Sequence, residues 1–462
     1  MYSFFKSNIF TYWKLLVPLT LLPVLFSSVN ELLIGIAVPI IFIIYLKYGE
    51  RFLLFMIIVS FVLLTAKISP IIRLGVQIFN YLSLTYLFLT HYGIKISHYP
   101  RIPRNVKYFI FSLLSLMLIS SFNSVVPLLG FEKLITLILF FYLIYMLFAL
   151  IKSNNYVNVF LLSIFICALV SSAILILEVI KFRFDLFQIY QEVFTKEAYI
   201  GKNNVGVLFS ITIIFLTSLL FVEKFKNSRK YFYLLLFVIS IGLIFTDSRA
   251  SILCLFISVS TIIYILSKQA FKIGIVVICI MIFIIWLTPF RDDILLYLRV
   301  ENIGTGREYL INATFEVIKN NFILGAGPAG TKLQLYSNLP YLLNTPPEWL
   351  ISKLYDVGDI NQTHNFYLFF FSDLGVAGFI LSLALPVVYF TNCKKILNVL
   401  RSSQNSDYCL VVGLIGTGIF IFTRGLFEQM NIISYGHIYY DLPFWLLMSI
   451  LIYYYNKHVK TF

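Results

Sequence analysis

Charged side chains are scarce in this chain of 462 residues. Asp, Glu, Lys and Arg make up 12% against 60% hydrophobic residues, too few to cover the surface of a water-soluble domain. Cysteine is sparse as well. Cys167, Cys254, Cys279, Cys393 and Cys409 are dispersed and form no CxxC pair, which excludes a disulfide framework and a cysteine metal site. The alternating ten-residue segments of barrel strands are missing. No GKT or GKS follows a glycine-rich loop, which excludes a P-loop nucleotide site. Basic residues outnumber acidic ones, 35 to 21, yet no basic stripe interleaved with aromatics occurs outside the apolar runs, so no nucleic-acid partner is expected.

What is abundant is oil in helix-length pieces. The mean hydropathy is +0.91, and apolar runs of about 17 to 25 residues recur from end to end, each long enough as a helix to cross a hydrocarbon core. Lipid offers no partner to backbone amides, so the runs predict an all-α polytopic membrane protein. About fourteen spans are expected, near 12–28, 31–47, 51–67, 70–90, 107–125, 131–151, 156–180, 203–222, 230–246, 250–267, 271–288, 363–391, 409–424 and 437–455, forming a single membrane domain over 1–462. The first run contains Pro18 and Pro23 and lacks a small-residue cleavage site, so it reads as a retained anchor. Lys and Arg concentrate in alternate loops, notably "HYGIKISHYPRIPRNVK" and "VEKFKNSRKY", which predicts that both termini are cytoplasmic. The net charge of +14 then serves chiefly to anchor the chain at anionic headgroups of the bilayer.

Two loops on the predicted outer side break the pattern of short connections: 181–202, and a large, partly helical one at 289–362. In the latter, "GTGREYLINATFEVIKNN" has Thr305 followed three residues later by Glu308, a capping box. A helix is expected from Gly306, with Leu310, Ala313 and Val317 on its apolar face and Arg307 in its first turn. A cation there opposes the helix dipole by about 0.3–1 kcal/mol. A bound phosphate would reverse that penalty, and a salt bridge to Glu308 or Glu301 would relieve it.

Other polar residues gather on the same predicted side. Arg249, in "TDSRASIL", can snorkel, pair with Asp247, or form a phosphate-binding turn with Ser248 and Ser251. His364 opens a long apolar run with Asn365 beside it, where an imidazole can cap the helix or accept a proton from a hydroxyl. Lys202, Asn203 and Asn204 begin another span and can cap it or bind sugar hydroxyls. Gly325 and Gly327 in "LGAGPAGT" supply the glycines of a phosphate cradle, though outside any βαβ unit. Arg424 and Glu428 stand four apart and read first as a mutual ion pair, with Arg424 also a candidate substrate contact. Asp292 and Asp293 lack a nearby third ligand, and no metal site is expected. The membrane midplane reads as comparatively bare, which argues against a flippase or other transporter, the alternative from another class.

In this order the motifs resemble the O-antigen ligase and O-antigen polymerase family of bacterial membrane glycosyltransferases. The resemblance covers about 197–385: the asparagine pair at Asn203 and Asn204, "SRASIL" from Ser248, the "GR" at Arg307, "ILGAGPAGT", and His364-Asn365 followed by Gly375 and Gly378. The family's usual proline in the asparagine motif is replaced here by Asn203. The resemblance implies a multi-pass protein of the bacterial cytoplasmic membrane. It would transfer, at the outer face, a glycan carried on undecaprenyl diphosphate to an acceptor hydroxyl, as in making lipopolysaccharide, capsule or exopolysaccharide. Arg249 and Arg307 would bind the diphosphate and His364 would take the hydroxyl proton, giving inversion without a metal or other cofactor. Lys202, Asn203, Asn204, Asn365, Gly325, Gly327 and Arg424 would contact substrate, and the loop 289–362 would roof the site. A polymerase is favoured over a ligase that transfers to lipid A core or protein. A chain-length regulator and a flippase of the same pathway are implied partners.

Overall fold

The computed structural model describes positions within 75–90, and residues 101–151, 154–182, 202–246, 248–287, 307–335, 363–400, 406–436 and 438–459. The expected spans at 12–28, 31–47 and 51–67, the loop 181–202 beyond its two ends, and 289–362 apart from 307–335 lie outside the described residues. So do Asp247, Asp292 and Asp293.

Among the described residues the chain is helical, with no strand. The helices are α1 (Arg104–Phe122), α2 (Pro127–Leu150), α3 (Asn154–Lys181), α4 (Lys202–Leu220), α5 (Arg229–Phe245), α6 (Arg249–Leu266), α7 (Lys268–Leu287), α8 (Arg307–Asn320), α9 (Phe366–Leu400), α10 (Ser406–Arg424) and α11 (Ile438–His458). Eight helices among the described residues are long and apolar enough to cross a membrane. Most boundaries fall within a few residues of the apolar runs, because hydropathy and helix length report the same slab of hydrocarbon. The exception is α9, which continues to Leu400 and not to 391. Lys394 and Lys395 end the apolar run but favour helix, and both are exposed.

The centre of the bundle is α4, which packs against α3, α5, α6 and α10. Its hydroxyls are satisfied within the helix: Ser210 donates to the Gly206 carbonyl at 2.7 Å and Thr212 to that of Leu208 at 2.8 Å. Gly206 lets α4 approach the start of α6, since a Cβ there would lie 2.9 Å from Ser251 Oγ and 3.0 Å from Ser248 Cβ. Beside this group, α9 packs on α1, α8, α10 and α11. The buried face of α8 includes Leu310, Ala313 and Val317, as the helical spacing predicts, together with Thr314 and Ile318.

The bundle has two distinct ends. At one, Asp407 at the start of α10 accepts hydrogen bonds from Lys457 Nζ at 2.5 Å and His458 Nε2 at 3.0 Å, both at the end of α11. At the other lie the starts of α4, α6, α9 and α11 and the end of α10. There the polar side chains singled out in the sequence meet.

Candidate functional site

Three chain segments build this end. The start of α4 supplies Asn203, the segment before α9 supplies Thr363, His364 and Asn365, and the turn after α10 supplies Glu428, Gln429 and Asn431. Helix α10 stops at Arg424, where the chain turns through Gly425, and Phe366 N donates to the Gly425 carbonyl at 2.8 Å, locking the two segments together. Thr363 N donates to Gln429 Oε1 at 3.1 Å. Asn365 caps α9: its Oδ1 accepts the Tyr367 and Leu368 amides at 2.9 and 3.0 Å, while Nδ2 donates to the Leu426 carbonyl at 3.0 Å.

His364 sits between these anchors with φ +48°, a left-handed conformation unusual for a residue with a Cβ. Such strain costs on the order of 1–3 kcal/mol and persists only where surrounding bonds impose it. It also explains why α9 starts at Phe366 and not at 363. His364 Nδ1 lies 3.4 Å from Glu428 Oε2. The other carboxylate oxygen, Oε1, accepts from Asn203 Nδ2 at 3.1 Å. Asn203 Oδ1 in turn accepts from Ser248 Oγ at 3.5 Å, and Ser248 and Ser251 share a 2.8 Å hydrogen bond. A continuous polar chain thus joins the starts of α6 and α4, the turn after α10, and His364. The histidine side chain is 30% exposed and that of Glu428 only 4%. One partner can meet a substrate; the other meets protein.

Arg249 is the first residue of α6, directly after Ser248 in this chain of bonds, and is half-buried. Ser248 occupies the N-cap position without making a side-chain cap bond, its hydroxyl being turned to Asn203 and Ser251. Arg307 likewise opens α8, and Lys202 opens α4, but the side chains of both lie outside what the structure describes. Opening a helix does not by itself mark a site, because Arg104, Arg229 and Lys268 do so at the opposite end. Asn204 is buried, and its Oδ1 has no hydrogen-bond partner among the described residues.

Arg424 is buried. It donates from one terminal nitrogen to Asn431 Oδ1 at 2.7 Å and from the other to the Asn203 carbonyl at 3.3 Å, organising the turn that carries Glu428. Its placement in the last turn of α10 suits the helix dipole.

Gly325 and Gly327 belong to a second polar assembly, two turns along α9 from His364. Here the glycine-rich turn wraps a carboxylate of the chain itself, Asp373. Ala329 N donates to Asp373 Oδ2 at 2.9 Å and Thr331 N to Oδ1 at 3.0 Å, and the Tyr435 hydroxyl completes the shell. Burial and the neighbouring carboxylate push the Tyr435 hydroxyl well above its ordinary pKa, which keeps it a donor. The turn is closed by Ala326 N to the Ser372 carbonyl at 2.8 Å and Gly327 N to the Asp373 carbonyl at 3.0 Å. Gly325 has φ +73°, and a Cβ on it would fall 2.3 Å from the Asp373 carbonyl carbon and oxygen. Asp373 is fully buried about 10 Å into α9, and a buried carboxylate is tolerable only with such a shell of donors.

The site thus unites Asn203, His364, Asn365 and Arg424, with Arg249 at its margin, and it adds Glu428, Gln429, Asn431 and Ser248. The spacing of Glu428 from Arg424 reads as a helical pair, and the Glu428 amide does bond the Arg424 carbonyl at 2.9 Å; its meeting with Asn203 and His364 has no local signal.

A family model described as O-antigen ligase matches residues 234–383. The matched segment runs from α5 through the first half of α9 and contains Arg249, Arg307, Gly325, Gly327, His364 and Asn365. Asn203, Arg424 and Glu428 fall outside it. No curated protein matches the chain.

Proposed function

We propose that this chain, whose residues 234–383 match the family model described as O-antigen ligase, is a membrane glycosyltransferase that polymerises glycan repeat units carried on undecaprenyl diphosphate. The reaction runs at the outer face of the bacterial cytoplasmic membrane, with both termini inside. The acceptor hydroxyl oxygen attacks the anomeric carbon of the donor glycan, and its proton passes to Nε2 of His364. The bond from that carbon to the diphosphate oxygen breaks, and its electron pair leaves with the diphosphate. Arg249 and Arg307 offset the charge on the departing group, which is where preorganised cations contribute most. A single displacement inverts the anomeric centre. The cationic help comes from guanidinium groups, so transfer is expected to survive excess chelator.

The observation that carries this reading is the geometry at His364. Its Nδ1 is held by a buried carboxylate, while the exposed side of the ring makes no Nε2 hydrogen bond among the described residues. The start of α6, with Arg249, joins the same network through Ser248. A diphosphate at the membrane surface also gives the first-turn arginines of α6 and α8 the anion that their dipoles favour.

Polymerase is preferred over ligase because numerous spans and a large outer loop suit two lipid-linked substrates. The purified protein supplied only with lipid-diphosphate-linked repeat units should yield a ladder of longer products. No ladder, with transfer appearing once lipid A core is added, would replace polymerase by ligase. Movement of the lipid-linked glycan between leaflets without a new glycosidic bond would overturn transfer altogether. Arg249→Lys is expected to lower the rate about tenfold or more with unchanged abundance, because a point charge loses the bidentate phosphate contact.

A further inference from the structure

We infer that Glu428 is the positioning residue of His364, holding the imidazole in the tautomer and orientation that leave Nε2 able to accept a proton. This rests on the transfer reading above, and it concerns a residue outside the segment matched to the O-antigen ligase family.

The roles follow from the donor and acceptor inventory of three side chains. A carboxylate can only accept, so the contact of Glu428 Oε1 with Asn203 at 3.1 Å requires the Asn203 amide nitrogen to face it. That orientation leaves Asn203 Oδ1 to accept from Ser248, whose hydroxyl lies within 3.5 Å. The assignment is consistent from the start of α6 to the carboxylate. With Oε1 engaged, Oε2 faces His364 Nδ1 at 3.4 Å and can only accept there as well. The proton of a neutral imidazole is therefore drawn to Nδ1, and the lone pair remains on Nε2. Once His364 has taken the acceptor proton, the same carboxylate offsets the imidazolium charge.

The surroundings keep the carboxylate in place. Its side chain is 4% exposed, its backbone amide donates to the Arg424 carbonyl at 2.9 Å, and Arg424 is bonded to Asn431 and to the Asn203 backbone. The turn is further tied to α11, where Asp441 accepts from Ser434 N at 2.8 Å and Gly436 N at 3.0 Å. The backbone on either side of His364 is held by the Asn365 cap and the Thr363–Gln429 bonds. Both partners are thus carried on braced backbone, as a positioning contact requires.

Glu428→Gln gives a discriminating test, because it preserves size and hydrogen-bond count while reversing polarity at one atom. Asn203 presents a donor, so the glutamine oxygen must turn towards it, and the glutamine NH2 then faces Nδ1. That draws the imidazole proton to Nε2 and removes the base. In the ladder assay, Glu428→Gln should lower kcat on the order of 100-fold or more, with KM within about threefold and an unchanged unfolding temperature. Glu428→Asp, which still offers only acceptors, should retain at least about tenfold more kcat than Glu428→Gln.

Wild-type protein is assayed first in the same preparation, and its failure to transfer would strike the glycosyltransferase reading itself. With an active wild type, three outcomes would overturn the positioning role: a Glu428→Gln kcat within about threefold of wild type, equal losses in the Gln and Asp variants, or failure of Glu428→Gln to accumulate. The last would mark the contact as a structural one.

Discussion

Replacing His364 by alanine is expected to reduce glycan transfer by about 10²- to 10⁴-fold, the range contributed by a positioned general base, while the protein remains in the membrane at wild-type abundance. The fold should survive because the histidine ring bears little of the packing. Its side chain is 30% exposed, and the anchors of this segment are made by Thr363, Asn365 and Phe366. Alanine keeps a Cβ, so the left-handed backbone at φ +48° stays about as strained as with histidine, and stability should change little. Glu428 would lose one partner but keep Asn203. The measurement is product-ladder formation normalised to purified protein, with the unfolding temperature in detergent as control. Activity within about tenfold of wild type would exclude His364 as the base.

The second large effect is structural. Gly375→Val should prevent accumulation of folded protein. Within α9, Gly375 has φ +67° and ψ −163°, which breaks the helix into two pieces. A side chain at those angles costs on the order of 1–3 kcal/mol. A Cβ there would also lie 2.1 Å from the Ile323 carbonyl oxygen, which is backbone and cannot swing away; overpacking adds roughly another 1–3 kcal/mol. The break is what allows Val376 N to bond the Phe322 carbonyl at 2.9 Å and the glycine turn to close over Asp373. Losing that closure would expose a buried carboxylate to hydrocarbon without its donors. Gly274→Ala in α7 provides the control, since a Cβ there meets nothing within 4 Å. It should accumulate normally. A Gly375→Val protein that accumulates and unfolds at the wild-type temperature would refute the clasp.

These two residues also mark what the amino-acid order discloses. His364 stood out because a titratable ring opens a long apolar run, a local signal. Gly375 was visible as a motif glycine, but its purpose was not, because the atom that excludes a side chain belongs to Ile323, far away in the chain. Arg307 was legible as a first-turn cation, Arg249 as a turn residue between two spans, and Leu310, Ala313 and Val317 as part of a buried face. Glu428 was legible as the i, i+4 neighbour of Arg424, and its amide does bond the Arg424 carbonyl at 2.9 Å, but its contacts with Asn203 and His364 were not, because those partners are 225 and 64 residues away. Gly325 and Gly327 carried the composition of an anion cradle, and they enclose an anion of the chain's own.

Membrane helices were dictated by composition, since apolar runs in lipid must satisfy their amides within each run, and that requirement acts over four residues. Meetings between polar groups have no such local rule. Asn203 and Glu428 stand 225 residues apart, and Ser120 and Asp373 stand 253 apart. Close packing of α4, α6, α9 and α10 brought the distant groups together, because a polar atom away from water must find a partner wherever the neighbouring helix happens to offer one.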